Sequence, residues 1–196
     1  AKHGINIFRI FDALNDINNI KSSIEFVNNE QKNSQGTICY TTSPVHNEKY
    51  WINLAKNIED IGAKSLAIKD MAGLLRPKVC YELVKKLKKN LNIPLHLHTH
   101  STTGLADATN FKAYEAGVDN LDTSISSFSN LYAHTATESL IYMIYDDKKN
   151  PFNLNLLSEI SEYFQSIRNK YKEYEGSLKG ADINMLINQV PGGMLS

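Results

Sequence analysis

The sequence predicts an α/β protein in which a parallel β-sheet is covered by α-helices. Five segments rich in β-branched and aromatic residues alternate with segments whose apolar residues recur every three or four positions. The connections are short, and the strands are almost entirely apolar, as burial on both faces of a parallel sheet requires. An open doubly wound sheet and part of a (β/α)8 barrel both fit this pattern. No glycine-rich phosphate-binding motif follows the first strand, which disfavours a dinucleotide-binding sheet.

The individual elements follow from local patterns. The predicted strands are 5–12, 36–41, 65–69, 93–100 and 120–125. The apolar stripes of the predicted helices cover 14–27, 51–61, 77–87, 105–116, 137–145, 154–171 and 182–188. A polar turn is expected over 28–34. Pro77 suits the first turn of its helix, and Gly62 and Gly117 are placed to end theirs.

The composition excludes several classes of protein. Hydrophobic residues make up 42% and charged residues 21%, as in globular domains, so disorder is not indicated. The 21 Lys and Arg residues equal the Asp and Glu residues in number, which argues against nucleic acid or an acidic membrane as partner. No apolar run approaches the roughly 18 residues of a membrane span. Two cysteines, Cys39 and Cys80, form no disulfide framework and indicate a reducing cytoplasm.

Alternating histidines in the fourth strand predict a metal site. In a strand, side chains at i, i+2 and i+4 point to the same face, so neighbouring members of the set His96, His98 and His100 can share an ion. Polar residues cluster where the predicted strands end, which is where barrel enzymes place their chemistry. His98 and His100 are therefore the preferred ligands, and His96, deeper in the strand, is interpreted as a packed interior histidine. Imidazole suits zinc, manganese or cobalt, and the spacing does not choose among them.

Lys69 ends the preceding strand and has two interpretations. A buried lysine has a lowered pKa, and a neutral amine can add CO2 to become a carbamate with anionic oxygens. Alternatively, Lys69 pairs with Asp12, Asp70 or Asp122, and the spacing alone favours this ion pair.

Six sequence blocks resemble the carboxyltransferase domain of biotin-dependent carboxylases. They are IFRIFDALND, GTICYTTSPVH, LAIKDMAGLLRP, PLHLHTHSTTG, AYEAGVDNLDTSISS and QVPGGMLS, in order through almost the whole chain. The family includes the oxaloacetate decarboxylase alpha subunit, the transcarboxylase central subunit and the B subunit of two-subunit pyruvate carboxylase. The resemblance implies a TIM barrel followed by a helical domain.

The resemblance also implies roles for individual residues. The family's metal is bound by a carbamylated lysine, two histidines and an aspartate, and Lys69, His98 and His100 match the first three. Ser196 matches the hydroxyl residue, threonine in many members, that shuttles a proton. Met71 matches a position that lines the substrate pocket.

Parts of the family pattern have no counterpart in this sequence. These are the metal aspartate, the arginine that binds the substrate ketone and the first three barrel strands, so Arg9 receives no substrate role. Residues 1–133 are expected to be the C-terminal five βα units of the barrel, and 134–196 a truncated helical extension. Five strands cannot close an eight-stranded barrel. The chain is therefore expected to be a piece of a larger subunit that is inactive alone.

The implied activity is metal-dependent carboxyl transfer between carboxybiotin and pyruvate or oxaloacetate. The implied cofactors are a divalent metal (Zn, Mn or Co) and biotin carried on a separate domain or subunit. The implied partners are a biotin carrier domain and either a biotin carboxylase subunit or membrane decarboxylase subunits. A homo-oligomer is expected, in the cytoplasm or held at a membrane by partner subunits. Two alternatives are another metal-dependent TIM-barrel lyase or aldolase, and a non-catalytic assembly module.

Overall fold

The computed structural model describes residues 2–145 and 149–188, and this part of the chain contains a five-stranded parallel sheet. The strands are β1 (Ile7–Ile10), β2 (Asn33–Cys39), β3 (Ser65–Asp70), β4 (Leu95–Thr99) and β5 (Asn120–Leu121). Each strand from β2 to β5 pairs in parallel with the one that precedes it in the chain. Parallel crossovers are right-handed, so a strand order without reversal places the connecting helices on one face of the sheet. This is the arrangement of a barrel, and it excludes the doubly wound alternative, whose strand order reverses.

Four α-helices connect consecutive strands, and three more α-helices come after the sheet in the described residues. The first four are α1 (Ile17–Asn29), α2 (Glu48–Asp60), α3 (Pro77–Asn90) and α4 (Ala106–Glu115). The others are α5 (Thr137–Ile144), α6 (Leu154–Lys170) and α7 (Ile183–Asn188). The predicted helix boundaries at proline and glycine are confirmed. Pro77 occupies the first turn of α3, and Gly62 and Gly117 follow α2 and α4 with φ of 93° and 90°.

The hydrophobic core lies between the sheet and the helices that cover it. Its fully buried side chains include Ile38 from β2, Leu66 and Ile68 from β3, and Ile58 from α2. The helix α2 packs so closely on β2 that a Cβ added at Gly36 would lie 2.2 Å from Cγ2 of Ile58. The absence of a side chain at Gly36 therefore sets the spacing between this helix and the sheet.

The opposite face of the sheet is polar, and the strand register arranges its residues in rows. Cys39 pairs with Lys69 and Lys69 pairs with His98, so these three side chains lie side by side on neighbouring strands. One step deeper, Ala67 pairs with His96. The register thus places the lysine at the end of β3 directly beside a histidine of β4.

Several predicted boundaries differ from the structure: β2, predicted over 36–41, is Asn33–Cys39, and two further differences have identifiable local causes. The polar turn predicted over 28–34 is shorter, because α1 continues to Asn29 and Gln31, with φ of 56°, reverses the chain within a few residues. The fifth strand ends at Leu121 rather than at 125. The amide of Asp122 still donates to the carbonyl of Leu97 in β4, and the amide of Ser124 then donates to the carbonyl of Thr135 instead.

The final helix lies over the loops at the C-terminal end of the sheet. Met185 of α7 is buried against Ala72 and Leu74, which follow β3, and the amide of Asp182 donates to the carbonyl of Thr102 at 2.7 Å. By contrast, α6 has no buried residue. Over the described ranges, every helix is too short or too polar to cross a bilayer.

Candidate metal centre

Three histidines meet at the C-terminal end of β4. His98 and His100 come from the strand and the residue after it, and their Nε2 atoms are 3.1 Å apart. His134 comes from the loop before α5, and its ring centroid lies 4.4 Å from that of His98 and 4.6 Å from that of His100. One ligand nitrogen from each of the three lies within 4.8 Å of the others. All three side chains are half-buried.

The hydrogen bonds of these rings determine which nitrogen carries the proton. Nδ1 of His100 contacts the carbonyl of Tyr132, and Nδ1 of His134 lies 2.8 Å from the carbonyl of Thr99. A carbonyl only accepts a hydrogen bond, so both rings donate from Nδ1 and carry a lone pair on Nε2.

His98 adopts the same tautomer for a different reason. Its Nδ1 lies 2.6 Å from Oδ2 of Asp122 and 3.2 Å from Nη1 of Arg9. The shorter contact, to a carboxylate, favours Nδ1 as the donor. The two Nε2 atoms that are 3.1 Å apart are therefore both acceptors. Two facing lone pairs repel unless a cation lies between them, so this pair suits a metal ion.

The protonation states of these histidines also fit metal binding. Burial lowers the pKa of His98, and the hydrogen bond to Asp122 offsets this effect only in part. Burial lowers the pKa of His100 to about 4. Both imidazoles are consequently neutral at pH 7, and the neutral form is the one that binds a metal.

Lys69 lies beside this cluster with its amine over an aromatic ring. Its Nζ is 4.2 Å from the ring centroid of Phe11, and its side chain is half-buried. Burial lowers the pKa of Lys69, and the positive charge of Arg9 lowers it further. At a given pH, a larger fraction of Lys69 is therefore present as the neutral amine than in an exposed lysine.

The ion pair that the spacing favours for Lys69 is wrong, because Lys69 pairs with none of the residues that the structure describes. Asp12 accepts hydrogen bonds from the amides of its own loop, at Leu14 and Asp16. Asp70 is fully buried and accepts from the backbone after β3. Asp122 is bonded to other side chains. Each of the three carboxylates is therefore engaged elsewhere.

Asp122 and Arg9 form a network beneath the histidines that the sequence did not predict. Nη1 of Arg9 donates to Oδ2 of Asp122 at 2.6 Å, and Nε2 of His96 lies 2.5 Å from Oδ1. Burial raises the pKa of Asp122, but the hydrogen bonds from His96, His98 and Arg9 outweigh it and hold this pKa well below its usual range. His96 is half-buried within this network, in agreement with its interpretation as an interior histidine.

The remaining predicted site residues are Met71 and Ser196. Met71 directly follows β3 and is half-buried. Ser196 lies outside the described residues, as does the whole PGGMLS block. A glycine in the loop after β3 does approach the cluster closely. Gly73 has a φ of 67°, and a Cβ there would lie 2.7 Å from the carbonyl oxygen of His100. The roles predicted for Met71 and Ser196 stay predictions.

Known proteins resemble this chain in sequence. Residues 11–164 match the HMGL-like family. The B subunit of pyruvate carboxylase from Methanocaldococcus jannaschii is 45% identical over 100% of this chain and 35% of that protein. The methylmalonyl-CoA carboxyltransferase 5S subunit of Propionibacterium freudenreichii is 42% identical over 100% of this chain and 39% of that protein.

A solved structure resembles this chain in its fold. The carboxyl transferase domain of Rhizobium etli pyruvate carboxylase, solved with pyruvate, superposes with a TM-score of 0.94 at 35% identity. The match covers 99% of this chain and 34% of that one. The chain therefore spans about a third of the length of the relatives that it matches.

Proposed function

The chain belongs to the HMGL-like family, and from this premise we propose that it is part of a biotin-dependent carboxyltransferase acting on pyruvate or oxaloacetate. The reaction moves a carboxyl group between carboxybiotin and the keto acid. The observation that carries the proposal is the convergence of neutral imidazoles beside a lysine that has no ion pair among the described residues, at the strand ends of a partial barrel. Relatives that are pyruvate carboxylase and carboxyltransferase subunits support this substrate class, as does a structural neighbour solved with pyruvate.

We assign the metal ligands of this centre to Lys69, His98 and His100. The fit is supported by the facing Nε2 lone pairs and by the lowered pKa values of both histidines. Zinc, manganese and cobalt all suit imidazole donors. When bound, such an ion supplies a Lewis acid that stabilises negative charge on a keto-acid oxygen.

Lys69 contributes to this site after a covalent change. The lone pair of its neutral Nζ attacks the carbon of dissolved CO2, a C–N bond forms, and the nitrogen loses one proton to solvent. The product is a carbamate, which carries one negative charge on its two oxygens. The lowered pKa of Lys69 and its freedom from ion pairs with the described residues support this step.

Ser196 and Met71 complete the proposed active site. We assign to the Ser196 hydroxyl the transfer of a proton between the methyl carbon of pyruvate and the biotin nitrogen. An ordinary serine is a weak base, so its Oγ would accept one proton as it releases another. Met71 is assigned to the wall of the substrate pocket. These two assignments rest on the family resemblance alone.

The domain and partner assignments belong to the same proposal. Residues 1–133 form the C-terminal part of the barrel, and 134–196 begin the helical extension. Biotin arrives on a separate carrier domain or subunit. It is loaded by a biotin carboxylase subunit, or it exchanges with membrane decarboxylase subunits. We place the assembly in the cytoplasm as a homo-oligomer.

The test measures carboxyl transfer and bound metal together in the full-length protein. Biotin-dependent decarboxylation of oxaloacetate is expected for the wild type. Lys69→Gln is expected to abolish this activity, the bound metal and the carbamate signal that 13CO2 gives in NMR spectra. Ser196→Ala is expected to abolish transfer with metal content intact, whereas Ser158→Ala, at an exposed position of α6, serves as the matched control.

Three outcomes would contradict the proposal. Near-normal turnover in Ser196→Ala would exclude the proton-transfer role. A metal-loaded protein that cleaves a keto acid or acyl-CoA without biotin would support the alternative lyase or aldolase. A full-length protein that binds neither metal nor CO2 would support a non-catalytic assembly module.

A further inference from the structure

We propose that His134 is an additional imidazole ligand of the cation that His98 and His100 bind. This inference rests on the metal centre of the proposed function and adds to it a residue outside the Lys69, His98 and His100 set. His134 follows the last strand by a loop, and the alternating pattern that predicts the other two histidines does not include it.

Distances among the nitrogens support a shared ion. Two nitrogens that are each about 2.0–2.1 Å from one ion lie roughly 2.9–3.4 Å apart at right or tetrahedral angles, and at most about 4.2 Å apart. The 3.1 Å between Nε2 of His98 and Nε2 of His100 falls in the first range. The third nitrogen lies within 4.8 Å of both, so a ring movement of roughly 0.5–1.5 Å brings it into coordination.

The tautomer of His134 leaves a lone pair on its Nε2 atom. Because Nδ1 donates to the carbonyl of Thr99, Nε2 is the free acceptor. Among the hydrogen bonds of the described residues, none reaches this atom. Three half-buried imidazoles therefore each carry a lone pair on Nε2, and their ring centroids lie 4.4 to 5.0 Å apart. A single cation satisfies all three lone pairs, whereas a packed aromatic ring would need no such convergence.

The backbone fixes His134 against the strand that carries the other ligands. The amide of Ser101 donates to the carbonyl of Ala133 at 2.8 Å, and the amide of Asn130 donates to the carbonyl of His134 at 2.7 Å. On the C-terminal side of His134, Nδ2 of Asn110 donates a hydrogen bond to the hydroxyl of Thr135 at 2.8 Å. Bonds on both sides of His134 restrict its ring position before any ion binds, which favours coordination over a mobile loop contact.

The experiment titrates Co2+ into metal-free full-length protein and follows affinity and visible absorption. His134→Gln is expected to weaken Co2+ binding roughly 10- to 100-fold and to shift the ligand-field bands, because one nitrogen donor is lost. The control, His3→Gln, changes an exposed histidine and is expected to leave both readouts unchanged. In His134→Gly, added imidazole is expected to restore the wild-type bands.

A measurement without substitutions covers the case in which these variants fold poorly. X-ray absorption fine structure of the Co2+-loaded wild type is expected to show three imidazole donors, and two donors would overturn the inference. Unchanged affinity and bands in His134→Gln, with binding lost in His98→Ala, would also refute the role of His134 while sparing the proposed centre. If neither His98→Ala nor His100→Ala weakens binding, the proposed metal centre itself is wrong.

Discussion

Replacement of Asp122 by asparagine tests how the candidate metal centre is held together. One carboxylate oxygen lies 2.5 Å from Nε2 of His96, and the other lies 2.6 Å from both Nδ1 of His98 and Nη1 of Arg9. The change Asp122→Asn keeps the shape of the side chain but removes its negative charge. It also replaces one acceptor with an NH2 group, so at least one of the three donors loses its partner.

The size of the effect follows from these contacts. A hydrogen bond to a charged group contributes about 1.5–3 kcal/mol, and the Asp122 side chain is only 25% exposed. With one such bond lost and two weakened, the free energy of unfolding is expected to fall by roughly 2–3 kcal/mol. Because Asp122 also orients His98, Co2+ affinity is expected to fall roughly 10- to 100-fold.

The assay combines competition for Co2+ against a chelator with urea unfolding, both on the full-length protein. The matched control is Asp119→Asn, the same chemical change directly before β5. Asp119 accepts from the amide of Leu95 at 2.7 Å and from Nζ of Lys88, and among the described residues it forms no hydrogen bond to a histidine side chain. This control is expected to bind Co2+ as the wild type does.

Wild-type Co2+ affinity in Asp122→Asn would refute the argument that this carboxylate positions His98. Equal losses of affinity in Asp122→Asn and Asp119→Asn would also refute it, because a general loss of stability would then explain both. A loss confined to Asp122→Asn would support it.

Two further predictions concern stability. Gly36→Ala is expected to cost about 1–3 kcal/mol in urea unfolding, because its Cβ would meet Ile58 at 2.2 Å, whereas Gly180→Ala, whose added Cβ has no atom of the described residues within 4 Å, should change little. An equal effect of the two would contradict this. Burial raises the pKa of Asp119, but hydrogen bonds from Leu95 and Lys88 outweigh it and lower the pKa overall. Its contribution, about 1 kcal/mol after allowance for its partial exposure, is therefore present above about pH 4 and lost as the pH falls through the folded-state value. Asp119→Asn should lower stability at pH 7 and reduce its loss between about pH 5 and 2; an unchanged acid profile would exclude this.

Patterns local in the sequence predicted most of the fold. Apolar runs, Pro77 and the helix-ending glycines located every strand and helix, because these signals act over one or two turns of chain. The end of β5 could not be predicted in this way. It depends on Ser124 pairing with the segment around Ala136, a contact with no local signature.

The candidate site was only partly predictable for the same reason. The alternating histidines of β4 identified His98 and His100, because strand geometry alone places them on one face of the sheet. The engagement of Asp122 by Arg9 depends on curvature that brings β1 near β5, two strands that are distant in the sheet order. The position of His134 beside the other two histidines depends on the path of the loop before α5, so no spacing rule in the sequence could identify it.

The sequential strand order also bears on how this protein is made. Register partners lie close in the chain: Ile7 and Asn33 are 26 residues apart, and Gln35 and Ser65 are 30 apart. Such pairings close smaller loops than pairings between distant strands would, which lowers the entropic cost of each pairing. During synthesis from the N-terminus, the pairing partner of each strand from β2 to β5 has therefore already been made when that strand emerges.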